Sequence, residues 1–209
     1  MKIGIIGATR GIGKALATLA LAEGHNVTAL VRNKEKLKTD HPRLKIIEGD
    51  IRDPDAVAAL VAGQDAVCSC IGIMPTWKQV DVFSKGAANI IAAMGRGAKQ
   101  RFVAVTGIGA GDSKGHGGFF YDRVFNPLLL KTIYADKERE EALIRASRIP
   151  WMIVRPGFLT NGPRTGEYRV LIKLEGVKAG KISRMDVADF ILKELKKPKH
   201  FRKTPLLTY

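Results

Sequence analysis

The sequence predicts a single doubly wound α/β domain. It is a Rossmann-like parallel sheet of strand order 3-2-1-4-5-6, with a small C-terminal extension, spanning residues 1–209. Three observations lead there. Short apolar runs alternate with helical stretches about five times along the chain. A glycine-rich turn, Gly7-Ala8-Thr9-Arg10-Gly11-Ile12-Gly13, joins the first run to the first helix. The polar features singled out below fall just after strands, at the edge where open α/β sheets hold ligands.

The bulk numbers agree. A length of 209 residues suits one such domain and is short for an added substrate domain. Hydrophobic residues make up 45% of the chain, and no run of 18 apolar residues stands out, so no membrane span is expected. The first strand begins by residue 2, which leaves no signal peptide and predicts a cytoplasmic protein. Cys68 and Cys70 are two apart in a strand-like run, on one face, and read as reduced thiols. No metal-binding cluster is predicted. The net charge of +15 is spread along the chain, densest from Lys193 to Lys203. It reads as a solvated basic surface, with anionic ligands next. Without a recognition helix or an aromatic-interleaved basic stripe, no specific nucleic-acid partner is expected. A monomer or a homodimer both fit.

In order, Ile3–Ile6 is the first strand and Lys14–Glu23 the first helix. Glycines bring backbone N–H groups close to a pyrophosphate, and a helix N-terminus favours negative charge. Gly7, Thr9, Arg10, Gly11, Ile12 and Gly13 are therefore candidate ligands of a dinucleotide. Asn26–Val31 is the second strand. An acidic residue near its end would bind a ribose 2′-hydroxyl. Arg32 stands there instead, and its guanidinium suits a 2′-phosphate. Arg10 is expected to reach the same phosphate from the other side. The pair predicts NADP(H) over NAD(H); the plainer alternative for Arg32 is an exposed loop arginine.

Leu44–Ile47 is the third strand. After it, Asp50 is a candidate acceptor for an adenine amino group and Ile51 a candidate surface for the ring; the alternative is that Asp50 only organises the turn. Asp53-Pro54 starts a helix that runs to Ala62. Asp65–Ile71 is a continuous apolar strand, as a central parallel strand should be, and Gly72 after it lets backbone pass close to a cofactor. Val82–Met94 is a helix with Ala87, Ala88, Ile91 and Ala92 available for packing. Arg101–Thr106 is the fifth strand. The loop Gly107–Gly118 contains six glycines and reads as the mobile rim of a site. The apolar stretch Phe119–Tyr134, with a break expected at Pro127, is core, pocket wall or dimer surface. A helix continues from Ala135 to Ser147, and Trp151–Val154 is the sixth strand. The turn at Pro156 and Gly157 offers backbone groups to a carboxamide. Glu167–Ile172 is a further strand, Ser183 caps a helix Met185–Lys196, and Thr204–Leu207 is the last strand. The substrate cleft is assigned to loops 72–78, 107–120 and 156–168.

These segments together resemble an atypical short-chain dehydrogenase/reductase, of the NAD(P)H-binding, NmrA-like group that includes biliverdin-IXβ reductase/flavin reductase. The resemblance spans nearly the whole chain. It rests on Gly7-Ala8-Thr9 with Gly13, Leu30-Val31-Arg32, Gly49-Asp50, residues 61–67, residues 89–94, Arg155-Pro156-Gly157 and residues 182–188. It implies an NADPH site built from the glycine loop, the arginine after the second strand and the aspartate after the third. Arg10 departs from the group's usual glycine. Gly107 replaces a serine often found there and leaves Thr106 as the nearby hydroxyl.

The chain lacks Tyr-x-x-x-Lys, whose tyrosine protonates a carbonyl oxygen in the larger family. A degenerate Tyr134/Lys137 pair near Thr106 is the candidate catalytic set, three apart on one helix face; the alternative packs Tyr134 and leaves Lys137 in solvent. Such equipment suits acceptors whose proton can come from water: flavins, quinones or linear tetrapyrroles. Hydride transfer then needs mainly proximity in an open cleft, which Met74, Trp77, Phe119 and Phe158 could line. The leading expectation is an NADPH-dependent reductase of a planar acceptor. The alternatives are a cofactor-sensing regulator without turnover, and a carbonyl reductase or epimerase using Tyr134.

Overall fold

The structure is a computed structural model that describes residues 1–95, 97–116 and 130–209. The expectations for residues 117–129, including the break at Pro127 and the role of Phe119, lie outside the described residues. Six strands, β1 (Lys2–Ile6), β2 (Asn26–Val31), β3 (Leu44–Glu48), β4 (Ala66–Ser69), β5 (Arg101–Val105) and β6 (Trp151–Pro156), pair in parallel in the order 3-2-1-4-5-6. The small additions come late. β7 (Phe158–Thr160) and β9 (Lys181–Ser183) form a separate parallel pair. β8 (Arg169–Leu171) runs antiparallel to β10 (Leu206–Thr208), which lies parallel beside β6.

Five α-helices cover the sheet among the described residues. They are α1 (Gly11–Ala22), α2 (Pro54–Val61), α3 (Val82–Met94), α4 (Lys131–Ala146) and α5 (Arg184–Lys196). The period of two in a strand divides them into layers. Ile3 and Ile5 of β1, Cys68 of β4, Val103 of β5 and Val154 of β6 face α1 and α5. Ile6, Val67, Ala104 and Ile153 face the opposite core, with α2, α3 and Ile144 of α4. Cys68 and Cys70 lie on one face, as expected, and both are free thiols.

Local chemistry sets the helix ends. Asp53 caps α2 by accepting from the Asp55 N–H, with Pro54 at the first helical position. Ser183 caps α5 by accepting from the Asp186 N–H at 2.9 Å. α1 begins at Gly11, earlier than expected, because the last two glycines of the loop form its first turn. α3 is trimmed differently from the expectation: Gly86 and Ala87 face inward, while Ala88 and Ala92 are exposed.

The C-terminal additions are tied to α5 by two buried carboxylates. Asp186 accepts from the Thr165 and Gly166 N–H groups at 2.8 and 2.9 Å, and from the Thr165 and Tyr209 hydroxyls at 2.8 and 2.7 Å. Asp189 accepts from Arg164 at 2.8 Å and from the Tyr168 hydroxyl at 2.7 Å, and pairs with Lys193. Burial alone would raise the Asp186 pKa. The donors from Gly166, Tyr209 and Thr165 outweigh it and hold the carboxyl below the usual range.

A carboxylate with a lowered folded-state pKa contributes stability above its unfolded value, and that contribution is lost as pH falls through the folded value. Asp186→Ala is expected to cost roughly 2–4 kcal/mol at pH 7, because several buried donors lose one acceptor. Urea denaturation of Asp186→Asn and wild type should show a stability gap at pH 7 that narrows below about pH 4.

Candidate functional site

A cleft of about 1260 Å³ opens along the carboxyl ends of β1 to β6. Its floor is the glycine loop. A Cβ at Gly13 would overlap the Gly7 carbonyl oxygen, so only glycine lets α1 lie this close to the end of β1. α1 starts without a side-chain cap and without an acidic residue in its first turn, unlike α2 and α5. Its first N–H groups have no side-chain acceptor among the described residues, an arrangement that suits an anion.

The charges around the cleft are one-sided. Among the described residues, Arg10, Lys14, Arg32, Lys36, Lys137 and Arg184 line it, against one carboxylate, Asp50. That carboxylate is already held by Arg52, whose backbone N–H and Nε donate to Oδ1 at 2.9 Å and whose Nη2 donates to Oδ2 at 3.0 Å. The Arg52 side-chain bond leads in holding Asp50 below the usual carboxylate range. Gly72 lines the cleft as well, and a Cβ there would meet no other atom.

Beyond the glycine loop, one wall comes from β4, β5 and α4. Cys70, Thr106, Tyr134 and Lys137 all line it. Lys137 is buried: its Nζ donates to the Val105 carbonyl at 3.2 Å and stands 4.3 Å from the Phe83 ring centroid. Burial lowers its pKa. Burial also pushes the Cys70 thiol up to about 12, which keeps it protonated and unreactive near neutrality. The Thr106 hydroxyl donates to Glu141 at 2.8 Å. Glu141 also receives the buried Arg155 through Nε at 3.0 Å and Nη2 at 2.5 Å. Tyr134 brings its hydroxyl against Gly107, where a Cβ would stand 3.0 Å from it.

The inner face of α4 thus carries Asp136, Lys137, Glu140 and Glu141, all buried. Asp136 accepts from the Phe83 N–H at 2.8 Å and the Ser84 hydroxyl at 2.5 Å, and so caps α3 from a neighbouring helix. Burial pushes the Glu140 carboxyl up to about 7, with Lys137 opposing the shift.

A family model described as NAD(P)H-binding matches residues 7–198. The chain belongs to the NAD(P)H-binding family. An uncharacterized chloroplast protein of Arabidopsis thaliana is 32% identical, covering 93% of this chain and 71% of its own length. A Bacillus subtilis protein, called an uncharacterized sugar epimerase, is 30% identical over 93% of this chain and 88% of its own. Among solved structures, a putative NADH-flavin reductase from Streptococcus pneumoniae is 25% identical, with a TM-score of 0.78 over 100% of this chain and 99% of its own. An anaerobillin reductase from Escherichia coli O157:H7, 22% identical with the same TM-score over 100% and 97% of the two chains, shares the fold.

Of the residues expected to serve a dinucleotide, Gly7, Thr9, Arg10, Gly11, Ile12, Arg32, Asp50, Gly72, Thr106 and Pro156 line this cleft. Several stand differently from expectation. Arg10 donates its Nη2 to the Gly72 carbonyl at 3.0 Å, so it leans toward β4, whereas Arg32 lies beyond β2 on the other side of β1. Ile51 borders the cleft but is only 4% exposed, because its side chain fills the space above Gly86 in α3. Gly13 works by letting α1 approach. Gly157 is absent from the lining: a Cβ there would overlap the Gly180 carbonyl, and its N–H donates to Leu207 at 2.8 Å, so it serves the crossing of β6 with the C-terminal strands. The expected mobile rim is also different. Residues 107–110 are buried, and Ile108 packs with Leu174, Ala179 and Leu206. None of residues 107–111 or 113–116 lines the cleft. Met74 does, whereas Trp77 and Phe158 are exposed outside it.

Sequence reading did not single out Lys14, Lys36, Asn161 or Arg184 for this cleft. Lys14 and Lys36 offered no signal beyond charge. Arg184 sat inside a segment already noted for its helix cap.

Glu141→Gln should destabilise the protein by roughly 3–5 kcal/mol, since it removes the carboxylate that two donors of a buried guanidinium reach. Chemical denaturation checks this. Gly13→Val should abolish binding of NADPH and NADH alike, measured by titration calorimetry on protein whose circular dichroism is unchanged.

Proposed function

We propose that this chain is an NADPH-dependent oxidoreductase that passes hydride to a planar acceptor such as a flavin, a quinone or a linear tetrapyrrole. The observation that carries the reading is the charge of the cleft: six cations to one carboxylate among the described residues, and Arg32 where an NAD-preferring site would place an acid. NADP(H) brings three phosphates, which such a lining favours. The uncapped first turn of α1 and the glycine loop would hold the pyrophosphate, and Arg32 with Lys36 the 2′-phosphate. When bound, the cofactor supplies the hydride.

The residues of the wall fit an acceptor that takes its proton from water. Thr106 donates its hydroxyl hydrogen bond to Glu141, which leaves its oxygen to accept from a group in the cleft. The substrate side lies along loop 72–78, where Met74 is 71% exposed and Trp77 82% exposed, and along Pro156, Leu159 and Asn161. Exposed apolar groups beside a cofactor cleft favour stacking of a flat ring system. The resemblance to a putative NADH-flavin reductase supports the same acceptor class, while the arginine after β2 favours NADPH.

A second reading, carbonyl reduction or epimerisation, is favoured by one observation: Tyr134 and the buried Lys137 stand on the same wall. The relative called a sugar epimerase supports it too.

The assay is NADPH oxidation with FMN, a quinone and small carbonyl compounds. Turnover of FMN or quinone that survives Tyr134→Phe supports the first reading. Turnover of carbonyl compounds alone, lost in Tyr134→Phe, would replace it with the second. Arg32→Ala should weaken NADPH by roughly 1.5–3 kcal/mol, the worth of a charge-assisted contact, and NADH far less. Equal weakening of both cofactors would remove Arg32 from the 2′-phosphate.

A further inference from the structure

We propose that Arg184, steered by Asn161, is a pyrophosphate-binding residue that closes the glycine loop from the C-terminal end of the chain. The proposal rests on the reading of the cleft as a dinucleotide site. Arg184 is the first residue of α5, and its Nε lies 3.9 Å from where a Cβ of Gly11 would stand. Gly11 opens α1, so the guanidinium borders the space in front of that helix's unused N–H groups. Arg184 and Asn161 both line the cleft.

The partner of Arg184 is informative. Its Nη1 donates to the Asn161 Oδ1 at 2.8 Å. An amide orients the guanidinium without cancelling its charge. Arg52, Arg139, Arg155 and Arg164 each hold a carboxylate. Among the described residues no carboxylate pairs with Arg184 or with Arg10, whose Nη2 donates to the Gly72 carbonyl. Four N–H donors of the Arg184 fork remain for an anion by the ordinary donor count of arginine, about five.

The placement is preorganised. Ser183 holds its N–H to the Tyr209 hydroxyl at 3.0 Å, and its Oγ caps Asp186. Val187 and Ile191 of α5 share one core with Leu16 of α1. The separation of Arg184 from Gly11 is therefore set by core packing, and little ordering cost remains for binding. A planar fork beside two adjacent phosphates suits bidentate contact. The pyrophosphate is common to NADPH and NADH. Arg184 thus adds affinity for either cofactor, and Arg32 makes the choice between them.

The test is calorimetric titration of the full chain with NADPH, NADH and 2′-AMP, which carries the 2′-phosphate but no pyrophosphate. Arg184→Gln should weaken NADPH and NADH alike by about tenfold or more and leave 2′-AMP within about twofold. Arg184→Lys, which keeps the charge but not the fork, should lose less. Asn161→Ala should show a smaller loss in the same direction. Unchanged affinity of Arg184→Gln for both cofactors overturns the proposal, and so does an equal loss of 2′-AMP. If wild type binds neither cofactor, the reading of the cleft falls with it; if wild type binds and Arg184→Gln is unaffected, this inference alone falls.

Discussion

The first turn of α1 rests on the peptide at the end of β1, with no side chain between Gly13 and the Gly7 carbonyl. Much of the molecule depends on that contact. It aims the N-terminus of α1 into the cleft and leaves its N–H groups uncovered. It also sets how α1 lies on the sheet, with Leu16 and Ala20 buried and Lys14 and Thr18 turned to the cleft. α5 packs along the same helix, so the position of Arg184 follows from the position of Gly13.

A second constraint is the charged inner face of α4. Buried charges are costly unless each finds a partner. Here Asp136 spends its charge on the start of α3, and Glu141 joins the end of β5, through Thr106, to β6, through Arg155. The wall of the cleft is therefore braced by carboxylates from behind. The same bracing removes Thr106 as a proton donor and brings Lys137 inside, beneath the Phe83 ring. Structure and chemistry meet in one helix, whose polar residues hold the wall together and shape what it can do.

The basic balance of the chain, +15 overall, acquires meaning only locally. Many basic residues sit in ion pairs or in solvent, as Lys85 with Asp81 or Arg164 with Asp189. In the cleft, cations from α1, the turns after β2, α4 and α5 converge with little opposing charge. A net charge describes a surface; the shortage of carboxylates at one edge of the sheet describes a ligand.

The strand order, the layers and the glycine loop were legible in the sequence, because period-two apolar runs, helix caps and turn glycines are local signals. Arg32 was legible for the same reason: its place relative to a strand end is a matter of counting. What counting could not reach were contacts across the chain. Arg184 comes beside Gly11 from more than 170 residues away. Glu141 faces inward only because Thr106 and Arg155 wait there, and Gly157 is required by a carbonyl at Gly180. The loop after β5 looked like a free rim by composition, yet Ile108 found an apolar pocket made by the C-terminal segments. Local backbone preference and periodicity determine the fold and the glycine loop; packing between distant elements decides which polar side chains face the cleft and which are buried to hold it.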